Sequence, residues 1–183
     1  MPFKRRSWTL PFERAAQTGK EFILPITANS VRNHWTIALQ AISRQTPQRA
    51  GGVLVIRYHG KPLGVLGQFQ ILRDILLAWN QGINSEHPTI EAELALLADS
   101  TKPAKPQDFR PRIIGVRMKP RSIAALFHDE ESSVTAILKY RRYPCAFLIS
   151  LPLLARFRQD QSAREWRESI LNWMFQTDWL YPM

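Results

Sequence analysis

A single cysteine, Cys145, stands among 183 residues, so no intramolecular disulfide is possible. It lies in the apolar run Cys145-Ala146-Phe147-Leu148-Ile149, which predicts a buried strand and a structural thiol. A lone cysteine is compatible with a reducing compartment. No apolar run approaches the roughly 18–20 residues a helix needs to cross a bilayer. The basic start, Met1-Pro2-Phe3-Lys4-Arg5-Arg6, is not followed by the apolar segment of a signal peptide. The expectation is a cytoplasmic protein without membrane insertion. A Walker A loop, a Gly-x-Ser-x-Gly elbow, a Cys-x-x-Cys pair and a His-Glu-x-x-His spacing are also missing. His87 and Glu91 are four apart, but Pro88 intervenes at a predicted helix start. His128-Asp129-Glu130-Glu131 sets an imidazole beside three carboxylates, a pattern read as a solvated surface cluster rather than a catalytic one. No catalytic residue, metal site or cofactor is expected.

Acidic residues are scarce: fifteen Asp and Glu face twenty-five Lys and Arg, for a net charge of +10. Such an excess favours a polyanionic partner, nucleic acid or an acidic protein. The charge is uneven. Residues 1–61 carry ten basic and two acidic side chains, residues 62–108 three and six, and residues 109–183 twelve and seven. Most of the cations are Arg, whose planar fork suits bidentate phosphate contacts.

Hydrophobic residues make up 45% of the chain, enough for one domain with a core. Residues 1–20 read as a basic arm, in which Trp8 and Phe12 could set a ring against a base, or Trp8, Leu10 and Phe12 could dock on the core. Residues 22–26 predict a short strand. Ser30 as N-cap, then Val31, Trp35, Ala38 and Ile42 at helical spacing, predict an amphipathic helix over 31–45. Val53–Tyr58 is a β-branched strand, His59-Gly60-Lys61-Pro62 a turn, and Leu63–Leu66 a returning strand. Gly67 then opens a helix with Phe69, Leu72, Ile75, Leu76 and Trp79 on one face, stopped at Gly82. A second helix starts near Pro88. Residues 100–112, with Pro103, Pro106 and Pro111, form a linker within the same domain. Ile113–Met118 predicts a strand and 122–128 a short helix. Val134–Tyr140 and Cys145–Ile149 predict a hairpin, the first arm having a helical alternative. A short helix follows Ser150. Ser162-Ala163-Arg164-Glu165 matches a capping box ahead of a helix bearing Trp166, Ile170, Trp173 and Met174. That helix's polar face is expected to mix Arg164 and Arg167 with Glu165 and Glu168. The sum is an α+β fold: a single domain over 21–183 with short antiparallel strands, amphipathic helices and a basic N-terminal arm.

Three basic clusters stand out, two of them interleaved with aromatics, the pattern of phosphate contact plus base stacking. Arg5 and Arg6 precede Trp8 in the arm. Arg117 and Lys119 alternate along the strand predicted after the linker. Tyr140, Arg141, Arg142 and Tyr143 sit at the predicted hairpin tip. His59 and Lys61 add an exposed turn. Each has a blander reading as a solvated loop or strand face. Beyond the last helix, Trp179 and Tyr181 are candidates for anchoring a protein partner.

The order helix, strand, turn, strand, Gly-led helix, with Leu66-Gly67-Gln68-Phe69-Gln70 at its end, resembles the ParB/sulfiredoxin-like superfamily over residues 22–82. There an acidic-Gly-His/Gln-x-Arg motif opens a helix. Gly67 and Gln68 fit, whereas Leu66 stands for the acidic residue and Gln70 for the Arg. The resemblance implies a DNA- or nucleotide-associated domain, without carrying over an enzymatic activity. The leading expectation is a non-catalytic protein that binds DNA or RNA. The alternatives are an adaptor for an acidic protein partner and a ParB-like processing enzyme. The oligomeric state is left open by these features.

Overall fold

The computed structural model describes residues 12, 14–15, 22–27, 34–42, 52–58, 60–105, 111–114, 135–140, 143–160, 162 and 164–180. Side chains are described for these except 24–27, 34–37, 111–114, 139–140, 143–144 and 177–180. The chain builds β1 (Phe22–Thr27), β2 (His34–Ala41), β3 (Val53–Tyr58), β4 (Lys61–Gln68), α1 (Phe69–Gln81), α2 (Pro88–Asp99), β5 (Pro111–Ile114), β6 (Thr135–Tyr140), β7 (Tyr143–Ser150), α3 (Leu151–Gln159) and α4 (Arg164–Leu180). The seven strands form one sheet in the order β1-β2-β3-β4-β7-β6-β5. Every neighbouring pair is antiparallel except β5 and β6, which run parallel. The fold is α+β, as the mixed pattern of periods predicts. Among the described residues, no helix is long and apolar enough to cross a membrane.

Strand alternation sends side chains to two apolar layers. One layer joins Val53, Val65, Ile137, Phe147 and Ile149 to all four helices. It holds Phe69, Phe147 and Phe157, each fully buried and each worth about 2–3 kcal/mol of burial. The other layer gathers Leu39, Leu54, Ile56, Leu66, Leu138 and Leu148 with Phe12 and Ala15. Part of the segment read as an arm is therefore core: Phe12 is 1% exposed, while Arg14 beside it points outward.

Two bulges keep this sorting intact. The pairing steps from Ile56↔Gly64 to Arg57↔Pro62, which leaves Leu63 as an extra residue. It steps from Leu138↔Ala146 to Lys139↔Pro144, which leaves Cys145 extra. Leu63 and Cys145 consequently turn into the layer of Leu66 and Ala146. Cys145 is buried and reduced, as expected, with Sγ 3.3 Å from the Leu138 carbonyl.

Three expectations need correction. The helix over 31–45 is the strand β2. Its sequence carries both periods, because Trp35, Ile37, Leu39 and Ala41 also alternate. The strand wins because it pairs with β1 on one side and β3 on the other, so tertiary pairing overrides a helical spacing. Gly67 belongs to β4, and Gln68 is the N-cap of α1. A Cβ on Gly67 would lie 2.7 Å from the Leu72 Cδ1 and 2.9 Å from the Val53 Cγ2, so the glycine lets α1 close onto the sheet. Arg167 is not on a polar face: it is 3% exposed, inside the helical layer. The first arm of the 134–149 hairpin is a strand, which removes its helical alternative. The strand predicted over 113–118 is described at 111–114, and residues 115–118 and the short helix over 122–128 lie outside the described residues.

Candidate nucleic-acid interface

Strand direction decides which basic clusters can meet. Tyr58 pairs with Lys61 at one end of the sheet, and Val53 pairs with Gly67 at the other. Gln68 pairs with Ala146, so β7 begins at the Gly67 end, where Tyr140 pairs with Tyr143. The hairpin bearing Lys61 and the hairpin bearing Tyr140 and Tyr143 thus lie at opposite ends. Since β5 runs parallel to β6, it also ends, at Ile114, toward the Tyr140–Tyr143 end. Arg117 and Lys119 follow in sequence. They lie outside the described residues, as do Arg5, Arg6, Trp8, His59, Arg141, Arg142 and Tyr181, and so do the side chains of Tyr140, Tyr143 and Trp179.

Among the described residues, the β6–β7 hairpin extends beyond β4 at that end. Beyond the Gln68↔Ala146 pair, the last of β4 with β7, β7 extends by Cys145, Pro144 and Tyr143. Cys145 is the bulge residue, so two paired steps, Lys139↔Pro144 and Tyr140↔Tyr143, extend past β4, about 7 Å at strand rise. Its sequence there is Lys139-Tyr140-Arg141-Arg142-Tyr143, and Arg141-Arg142 is the two-residue connection between paired tyrosines. The N-terminus of α1 opens at the same end, with no acidic residue in its first turn. A positive helix end near a basic hairpin adds to an anion-attracting field.

No protein-family model, curated protein or solved structure matches the chain.

The arginines of α3 and α4 have a different use, one that net charge alone conceals. Arg167 Nη2 donates to the Trp79 carbonyl at 2.8 Å, in the last turn of α1, and its guanidinium lies 4.9 Å from the Phe157 ring centroid. Burial pushes its pKa below the ordinary arginine value, and Asp160 opposes that shift. Arg158 lies 5.0 Å from the Trp79 ring centroid and 3.5 Å from Asp99. Arg156 pairs with Asp160 at 2.7 Å. Gln159 Nε2 donates to the Ala98 and Thr101 carbonyls at the end of α2. These side chains cap the C-terminal carbonyls of α1 and α2 and neutralise nearby carboxylates. Segment 100–105 is held in the same way, since Ala104 N–H donates to the Pro152 carbonyl.

A depression of about 470 Å³ lies at this junction, lined by Trp79, Asn80, Gly82, Ile83, Glu91 and Arg158. Its Glu91 carboxylate accepts from Ser85 N–H at 3.1 Å. Two polar atoms of its lining residues, Trp79 Nε1 and Asn80 Oδ1, are buried without a hydrogen-bond partner among the described residues. Among the described residues, no group of three or more His, Cys, Asp or Glu is placed to hold a metal ion.

A ParB-like processing enzyme would be favoured by a pocket joining Gly67, Gln68 and His59, of which His59 lies outside the described residues. Lys61, two residues after His59, and Gln68 stand at opposite ends of β4. That is a separation of about 23 Å at strand rise. Gln70 is exposed and accepts a hydrogen bond from Arg73.

Arg57 was not among the sequence candidates. It is half-buried on β3, its Nε donating to Gln40 Oε1 at 2.9 Å and its Nη1 to the Gly60 carbonyl at 3.1 Å. Its place after the apolar Val55-Ile56 gives it the look of an ordinary outer-face residue. The sequence signal that could have singled it out is its position one turn from Lys61 on a hairpin.

Proposed function

We propose that the protein binds nucleic acid through phosphate contacts, with the β6–β7 hairpin as its principal probe. The observation that carries this reading is the hairpin's extension past β4 with Arg141 and Arg142 between two tyrosines and Lys139 just before them. A projecting basic tip can follow a groove or grip a single strand, and the tyrosines supply rings for stacking. The internal use of Arg156, Arg158 and Arg167 supports the same reading by elimination. The positive charge that remains for a partner is weighted toward the strands and their connections. The test is fluorescence anisotropy with labelled single- and double-stranded oligonucleotides across a salt series. Binding should weaken steeply with salt. The double variant Arg141→Ala/Arg142→Ala should flatten the log–log slope by about 1.4–1.8, as expected for two lost phosphate contacts. Absence of binding at low salt removes the reading, and an unchanged slope in the variant removes the hairpin from it.

A further inference from the structure

The depression at the C-terminal end of α1 is walled by α1, α2 and α3, and its volume of about 470 Å³ falls in the range of small-molecule sites. The β6–β7 hairpin stands at the other end of α1, one helix length of about 20 Å away. The depression is therefore independent of the nucleic-acid reading.

Two charged side chains line it, one of each sign: Arg158 from α3 and Glu91 from α2. Arg158 pairs through Nε with Asp99 Oδ1 at 3.5 Å, and its guanidinium lies 5.0 Å from the Trp79 ring centroid. Its two Nη groups have no acceptor among the described residues, which leaves free the fork that takes a carboxylate with two parallel bonds. The Asp99 contact is long and solvent-exposed, so it competes little. Glu91 accepts from Ser85 N–H with Oε1, and its Oε2 has no partner among the described residues. The C-terminal end of a helix favours positive charge, yet the last turn of α1 carries no basic residue. Arg167 serves the Trp79 carbonyl, whereas the Asn80 and Gln81 carbonyls have no donor among the described residues.

The uncharged polar groups repeat this pairing of opposites. Trp79 Nε1 is a donor and Asn80 Oδ1 an acceptor, both closed off from solvent and unpartnered. The Asn80 side chain makes no hydrogen bond among the described residues, so it can turn toward a ligand without breaking one. Ile83, 57% exposed, adds an apolar lip.

We infer that this depression binds a free α-amino acid with an apolar side chain, its carboxylate on Arg158 and its ammonium between Glu91 and the end of α1. A simple anion meets the Glu91 carboxylate there and a simple cation meets Arg158, whereas a zwitterion complements both. The apolar side chain packs on Ile83.

The experiment is calorimetric titration of the full chain with L-leucine, with isocaproate, which is leucine without its amine, and with isoamylamine, which is leucine without its carboxylate. Wild type, Arg158→Gln and Glu91→Gln are compared, the last keeping an acceptor for Ser85 N–H. Unfolding midpoints without ligand check each variant, and Arg158→Lys, which lacks the fork, replaces Arg158→Gln if the latter does not fold. The expected result is leucine binding with a Kd below about 1 mM. Each analogue should bind at least about tenfold more weakly, and either substitution should weaken leucine about tenfold, the scale of one charge-assisted hydrogen bond. Glu91→Gln should also shrink the preference for leucine over isocaproate while keeping the preference over isoamylamine. Leucine binding weaker than about 1 mM overturns the site. Isocaproate or isoamylamine binding as tightly as leucine overturns the zwitterion. Unchanged leucine affinity in both variants puts the ligand elsewhere and overturns the assignment as well. Each of these results leaves the oligonucleotide test of the hairpin untouched.

Discussion

Glu93 shows how a single side chain can set a pH dependence. It sits on the flank of α2, and its Oε2 is buried without a hydrogen-bond partner. Desolvation raises its pKa above the ordinary glutamate value, because burial disfavours the charged form. A carboxyl with a raised folded pKa favours folding while it is protonated. That contribution is full below the unfolded value of about 4.3 and is lost as pH rises through the higher folded value. Glu93→Gln keeps the shape and removes the charge. It should raise the thermal midpoint at pH 7, and the gain should vanish below about pH 4, where both chains are neutral at this site. Thermal melts of the two proteins at pH 3.5, 5.5 and 7 decide it. A gain of the same size at all three values would locate the effect in packing or helix propensity rather than ionisation.

At the scale of the element, α4 is locked in place by its least conspicuous residue. Ile170, Leu171 and Met174 bury its apolar stripe, and that much follows from helical spacing alone. Arg167 was read with the polar face, because sequence gives no sign that the C-terminal turn of α1 lies opposite it. Its bond to the Trp79 carbonyl spans 88 positions. Arg167→Ala removes a charge-assisted hydrogen bond and leaves the Trp79 carbonyl with one donor fewer. The expected destabilisation is about 2–3 kcal/mol, seen as a lower urea midpoint. Arg164→Ala, whose exposed partner Glu168 lies 3.4 Å away, should cost less than about 0.5 kcal/mol. The same limit explains which elements were legible. β3 and α1 carry one unambiguous period each, and local pattern places them, whereas the first arm of the β6–β7 hairpin also admits a helix and its pairing with β7 decides it. The segment 34–41 carries two periods, and only its neighbours β1 and β3 choose between them. The hairpin tip was legible as a cluster of residues. Its projection was not, because that depends on β7 pairing with β4 from 78 positions away. Arg57 was missed for a related reason. Its bond to Gln40 depends on β3 pairing with β2, which the local sequence does not show.

At the scale of the molecule, the sheet is apolar on both faces and needs two covers. The helices supply one. On the other face, Leu39, Leu54, Leu66, Ala136 and Leu148 are all buried, and Phe12 and Ala15 pack among them. The N-terminal segment therefore cannot be only a charged tether. It carries Lys4, Arg5 and Arg6 on one side of Phe12 and Arg14 on the other, so anchoring Phe12 also limits how far those charges can range from the sheet. Phe12→Ala should cost about 3–4 kcal/mol, the range for deleting a buried phenyl group. The reading comes from chemical denaturation at fixed salt. Arg14→Ala, exposed beside it, should leave the midpoint within about 0.5 kcal/mol of wild type. If both variants unfold with the wild-type midpoint, the segment contributes no core and its cations act as a free arm. If Phe12→Ala alone is destabilised, the arm and the fold are one cooperative unit. Truncations meant to remove the basic cluster would then have to stop short of Phe12 to test charge without unfolding the sheet.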